Sequence, residues 1–154
     1  MDVQALEPEP LDKAVTGAPE EKNYQDYLAA ADKYVRQKDY RNALTEYGKA
    51  QKLLPDNDKR RIFIFEQEGQ ISVKLKNIHK AKEFYLAAIQ TAKKLGVSDI
   101  TVVNAYLGLA HCFEKSDNIS PAIKNYEKAL GLSTNDQTKL KVKKILKRLK
   151  AQAQ

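Results

Sequence analysis

The chain has no tryptophan, one cysteine, two histidines and only six glycines, and each shortage excludes something. Cys112 alone cannot close an intramolecular disulfide, so nothing in the sequence asks for an oxidising compartment. Two histidines and one cysteine fall short of the ligand set of an ordinary zinc site, and the glycines do not gather into a phosphate-binding loop, so no cofactor is expected. His111 and Cys112 are adjacent, but successive helical residues point about 100° apart, so they make no nucleophile and base pair. Cys112 reads as a small core residue. No paired acids or other catalytic constellation stands out, and the chain is expected not to be an enzyme. No run approaches the roughly 18–20 apolar residues of a membrane span, and the N-terminus lacks the apolar centre of a signal peptide, which makes a cytoplasmic chain the expectation.

With 42% hydrophobic and 31% charged residues over 154 positions, the sequence is apolar enough to fold and suits one domain. The net charge of +7 hides a division along the chain. Residues 1–22 carry Asp2, Glu7, Glu9, Asp12, Glu20 and Glu21 against Lys13 and Lys22, whereas residues 136–150 are dominated by lysine. The N-terminal stretch 1–22 is acidic, proline-bearing and without helical or strand period, and reads as a disordered arm.

From Asn23 onward, helical periodicity takes over. Tyr27, Ala30, Ala31 and Tyr34 share one helical face; after Lys38-Asp39, Tyr40, Ala43, Leu44, Tyr47 and Ala50 form the next, stopped by Pro55. A third helix is expected after a cap among Asp56–Asp58, with Ile62, Phe65, Gly69, Ser72 and Val73 inward. A fourth follows on Ile78, Ala81, Tyr85 and Ala88, ending at Gly96. Ser98 or Asp99 should cap a fifth helix through Tyr106, Leu109, Ala110 and Phe113. Ser120-Pro121 should open a sixth, and Thr134–Gln137, as a capping box, a seventh. No strand is expected.

Aligning Ala43, Ala81 and Ala122 brings Tyr47, Tyr85 and Tyr126 into one column and Ala50, Ala88 and Ala129 into another. In the preceding helices Tyr27, Phe65 and Tyr106 align, followed by the small residues Ala31, Gly69 and Ala110. This bulky and small alternation resembles the tetratricopeptide repeat (TPR), in three units over about 23–57, 58–97 and 98–134, with a basic capping helix at 135–150. The fold class it implies is all-α, an α-solenoid of three antiparallel helix hairpins. The spacings of 38 and 41 residues exceed the usual ~34 by about one and two helical turns, which lengthened helices can absorb without turning their buried faces. Glu68 and Ser72 depart from the apolar pattern of the second unit.

The resemblance implies binding on the concave face. There the peptide-binding groove would be lined by Leu28, Asp32, Arg36, Phe63, Gln67, Gln70, Lys74, Asn104, Leu107, Gly108, His111 and Lys115. A subset of the family grips acidic chaperone tails with Lys, Asn and Arg at five positions, where this chain has Leu28, Asp32, Gln67, Asn104 and Gly108; chaperone tails are therefore disfavoured. The expected role is a protein-interaction scaffold or adaptor, with a secretion-type chaperone as a narrower alternative. A further alternative places the basic surface of Lys139, Lys143, Lys144, Lys147 and Arg148 against anionic membrane or nucleic acid. The absence of aromatic residues among those lysines weakens it, and capping the solenoid is reason enough for the helix. An uncapped N-terminal face would also permit self-association.

Overall fold

The three turns inside the hairpins share one local construction. Lys38, Lys76 and Asp117 hold φ of 58°, 60° and 56°, and the next residue, Asp39, Asn77 or Asn118, is the N-cap of the following helix. Asp39 and Asn77 accept from the backbone N–H of Asn42 and Lys80 (3.3 and 3.1 Å), satisfying donors that a helix start leaves free. The computed structural model describes residues 22–154; the reading of the acidic arm falls on residues almost all outside them.

Seven helices follow in order: α1 (Tyr24–Arg36), α2 (Tyr40–Lys52), α3 (Arg60–Lys74), α4 (Ile78–Leu95), α5 (Ile100–Lys115), α6 (Ile119–Leu132) and α7 (Asp136–Gln152). There is no strand among the described residues. Consecutive helices pair as α1/α2, α3/α4 and α5/α6; α2 meets α3, α4 meets α5, α3 lies beside α5, and α7 closes on α6. The result is the expected all-α solenoid. The 18 residues of α4 against 13 of α2 show helix lengthening taking up extra residues, and Gly96 ends α4 at φ 67°, a conformation glycine adopts without steric cost.

Several caps lie one or two residues from their expected places. α6 starts at Ile119 behind Asn118, which puts Pro121 at the third helical position rather than the first. It is tolerated there because the first turn's N–H groups have no intrahelical acceptor. The seventh helix is capped by Asn135, whose side chain accepts from Thr138 N–H (2.8 Å), not by Thr134. Lys59 precedes α3 and makes no side-chain cap; Asp58 instead binds Arg60 through its backbone N–H (2.9 Å) and its guanidinium.

The aligned alanines explain the stacking. Ala31, Ala43, Ala50, Ala81, Ala88, Ala110, Ala122 and Ala129 are all fully buried, so helix axes approach closely and the tyrosines fill the space opposite them. Val142, Leu146 and Leu149 of α7 are buried against Ala110, Ala122 and Tyr126, covering the apolar end of the third hairpin.

Candidate functional site

Tyr85 is the residue around which the inner face is built. It projects from α4 between α3 and α5, where two glycines receive its ring. A Cβ placed on Gly69 would lie 2.6 Å from Tyr85 Cε1, and one on Gly108 would lie 2.6 Å from Cε2 and closer still to Cζ. Neither position has room for a side chain while the ring is there.

The tyrosine column is alike in sequence and unlike in bonding. Tyr47 donates its hydroxyl to Asp32 Oδ1 (3.0 Å) and Tyr126 donates to Glu114 Oε2 (3.0 Å). The Tyr85 hydroxyl makes no side-chain hydrogen bond among the described residues, and Tyr85 lines a cavity of about 490 Å³ between α3, α5 and α7. Burial raises the phenol pKa of all three, so each is a neutral donor near neutral pH.

One wall of this cavity comes from Glu66 and Gln70 of α3, another from Asn104, Leu107, Gly108 and His111 of α5, and the third from Thr138, Lys141, Val142 and Ile145 of α7, with Tyr85 and Tyr126 between. Glu66 is only 2% exposed. Gln67 Nε2 donates to its Oε2 (2.8 Å) and Gln70 Nε2 to its Oε1. Burial pushes the carboxyl pKa up, and the two amide donors pull part of it back. No ion pair to Glu66 exists among the described residues, so its charge, when present, has only neutral partners.

Of the residues predicted to line the groove, the structure brings Gln70, Asn104, Leu107, Gly108 and His111 to this cavity. Gln67 reaches it only through Glu66. Leu28 packs on the core of the first hairpin, and Asp32 is held by Tyr47. Phe63 lies in a separate depression of about 200 Å³ with Val97 and Thr101. Arg36, Lys74 and Lys115 are exposed in the last turns of their helices, where positive charge suits the helix dipole. Glu66, Tyr85, Tyr126, Thr138, Lys141, Val142 and Ile145 complete the cavity and were not among the predicted residues. Glu66 could have been found, since it occupies the column of Leu28 and Leu107, one residue after the aligned aromatic.

The basic residues of α7 divide by contact. Lys143, Lys144 and Lys147 are exposed, Lys139 is half-buried, and Arg148 pairs with Glu114 (2.7 Å). Against the effect of burial, the hydrogen bonds from Arg148 and Tyr126 hold the Glu114 carboxyl below its usual pKa, so this network fastens α7 to α5. A depression of about 480 Å³ between α4 and α6 is rimmed by Lys93, Lys124, Glu127 and Lys128, all exposed, with no buried charge. Cys112 is fully buried, and burial pushes its thiol up to about 11, which leaves it unreactive. Among the described residues no cluster of His, Cys, Asp and Glu could hold a metal ion, and no helix is long and apolar enough to cross a membrane.

Residues 64–94 and 103–136 match the family model of the tetratricopeptide repeat. No curated protein matches the chain in sequence. Among solved structures, the N-terminal domain of stress-induced protein-1 from C. elegans is similar at 19% identity with a TM-score of 0.67, over 79% of this chain and 92% of that one. The first TPR of Spaghetti (RPAP3), bound to the HSP90 peptide SRMEEVD, is similar at 19% identity and TM-score 0.68, over 86% of this chain and 94% of that one. The C. elegans myosin chaperone UNC-45, in complex with an Hsp90 peptide, is similar at 23% identity and TM-score 0.68, over 85% of this chain and 14% of that one. Residues 64–94 and 103–136 thus match the tetratricopeptide repeat, and the hairpins share the helical-repeat fold of these domains.

Proposed function

We propose that the chain is a non-enzymatic adaptor that holds a segment of a partner polypeptide in the groove between α3, α5 and α7. The observation that carries this reading is the lining of the 490 Å³ cavity. Apolar Leu107, Val142 and Ile145 line it together with the hydrogen-bonding side chains of Gln70, Asn104 and Thr138, the mixture an extended peptide needs for both affinity and register. Two of the structural neighbours hold peptides, which supports a polypeptide as the ligand class.

The experiment is capture of partners from lysate by the wild-type chain and by Gln70→Ala with Asn104→Ala, both exposed positions, with circular dichroism verifying the fold because Gln70 also donates to buried Glu66. Partners held by the groove are lost from the double variant; equal recovery on both chains overturns the assignment.

The peptides held by those neighbours belong to Hsp90, so the same class of tail is the second reading to test. Here Leu28, Asp32, Gln67, Asn104 and Gly108 stand where the family's tail-gripping Lys, Asn and Arg would be, and the ring of Tyr85 fills the space a side chain at 108 would use. We expect the peptide SRMEEVD to show no saturable binding by calorimetry; micromolar binding would reinstate a chaperone-tail partner. Association of the basic helix with anionic lipid or nucleic acid predicts salt-sensitive binding that disappears on charge reversal at Lys143, Lys144 and Lys147.

A further inference from the structure

Resting on the groove reading above, we infer that the cavity between α3, α5 and α7 is a receptor for one arginine side chain of the partner segment, with Glu66 as the counter-charge and the Tyr85 hydroxyl as a second acceptor.

Two independent features point there. First, Glu66 is a nearly fully buried carboxylate lining an open cavity. Its oxygens are occupied by one neutral amide each, from Gln67 and Gln70, and Gln70 is an exposed side chain free to turn away. A carboxylate buried without a cation is costly, and a cation that arrives with a ligand recovers that cost on binding. Second, the equivalent tyrosine hydroxyls of the first and third hairpins are bonded to Asp32 and Glu114, while Tyr85 lines the same cavity and its hydroxyl has no side-chain partner among the described residues.

The geometry of acceptors selects guanidinium over ammonium. Arginine presents parallel N–H groups that can take both Glu66 oxygens at once, replacing the two separate amide donors, and retains further donors for Tyr85 and Asn104. The surroundings also limit the ligand. Lys141 stands on the cavity wall, and with the six acids and one lysine of residues 1–21 set aside, the described residues carry 26 Lys and Arg against 14 Asp and Glu. Long-range repulsion therefore opposes a polybasic segment, and the fit is a single arginine flanked by neutral or acidic residues.

The test begins with seven-residue peptides selected from a displayed random library on the wild-type chain. The best binder is then synthesised with arginine or with citrulline, its neutral isostere, and titrated against wild type and Glu66→Gln, with amide chemical shifts mapping where it sits. Arginine should recur at one position. Citrulline should bind wild type at least tenfold more weakly, and Glu66→Gln should bind the two versions alike. Peptides that shift the Asn104 and Leu107 amides but lack a recurrent arginine, or carry lysine in its place, overturn this inference and leave the groove standing. So does a citrulline penalty that persists in Glu66→Gln. Peptides that bind elsewhere, or no binder at all, overturn both. The comparison of arginine with citrulline on wild type needs no variant, so equal binding of the two peptides overturns the inference even if Glu66→Gln fails to fold.

Discussion

Gly108→Ala should destabilise the chain, although the same change in an open helical position should stabilise it. Replacing a helix-interior glycine by alanine ordinarily gains about 0.5–1 kcal/mol through backbone entropy. At Gly48 of α2 nothing lies within 4 Å of the added Cβ, so Gly48→Ala should show that gain undiluted. At Gly108 the new Cβ would stand 2.6 Å from Tyr85 Cε2, well inside the ~3.5–4.0 Å of carbon contact, and over-packing of this kind costs roughly 1–3 kcal/mol. The net expectation is a loss of about 1–2 kcal/mol. In a Tyr85→Leu background, itself less stable, the ring is gone and Gly108→Ala should change sign, giving a coupling of about 1–3 kcal/mol between the two sites. Urea unfolding followed by far-UV circular dichroism on the four chains of the cycle, with Gly48→Ala as control, measures it, provided the denaturant slopes agree. If Gly108→Ala stabilises the wild type as Gly48→Ala does, or acts equally in both backgrounds, the ring does not occupy the position assigned to it.

Three other outcomes follow from single residues. Lys76→Gly, at φ 60°, should raise stability by about 1 kcal/mol because glycine adopts the left-handed region without the Cβ penalty; an unchanged urea midpoint refutes it. Burial pushes the Glu68 carboxyl up to about 7, against the pull of Arg61 and of the Gln51 amide. The folded state therefore binds more protons than the unfolded one between about pH 4.5 and 7, so this group makes stability fall as pH rises through that window. Glu68→Gln should flatten that slope and be more stable than wild type at pH 8 by about 1–3 kcal/mol, with little difference at pH 4; parallel pH profiles of the two melting temperatures would falsify the assignment. Leu149→Ala, at a fully buried position of α7, should cost about 2–5 kcal/mol and speed hydrogen exchange in α6 and α7 before α1 and α2; uniform acceleration along the chain counts against a nearest-neighbour solenoid.

The hairpins were legible because their grammar is local. A bulky residue aligned with a small one every repeat fixes which faces meet, and Ala43, Ala81 and Ala122 mark the register without any knowledge of the ends. Helix starts were less legible, since several residues near each turn could cap. Asn118 and Ser120 are both good cap formers, and only the shared left-handed residue before the cap, at Lys38, Lys76 and Asp117, shows that the first of them is used. The groove was legible in part. A column rule points to inner positions of α3 and α5, but it cannot show that α7 contributes a wall or that a tyrosine from α4 reaches through to the inner face. Those depend on how far neighbouring helices separate, which side-chain volume at several positions decides jointly.

Some departures from the repeat pattern are absorbed inside the fold, and others converge on the cavity that the middle hairpin shares with α5 and α7. Glu68 and Ser72 occupy apolar columns, and both are accommodated internally: Gln51 Nε2 donates to the Glu68 carboxylate (3.2 Å) and the Ser72 hydroxyl donates to the Glu68 carbonyl (2.8 Å). They cost stability and show no opening to a ligand. Glu66 breaks the same rule in the column of Leu28 and Leu107 yet faces a cavity, and Gly108 gives up a side chain on the inner face so that Tyr85 can pass. A sequence under pressure only to stack would place leucine at 66 and alanine at 108, and would gain stability at both if Tyr85 were smaller. The combination of a buried charge, a free hydroxyl and a missing side chain around one 490 Å³ cavity is costly to the fold, and deviations that converge on one place are where function is most reasonably sought.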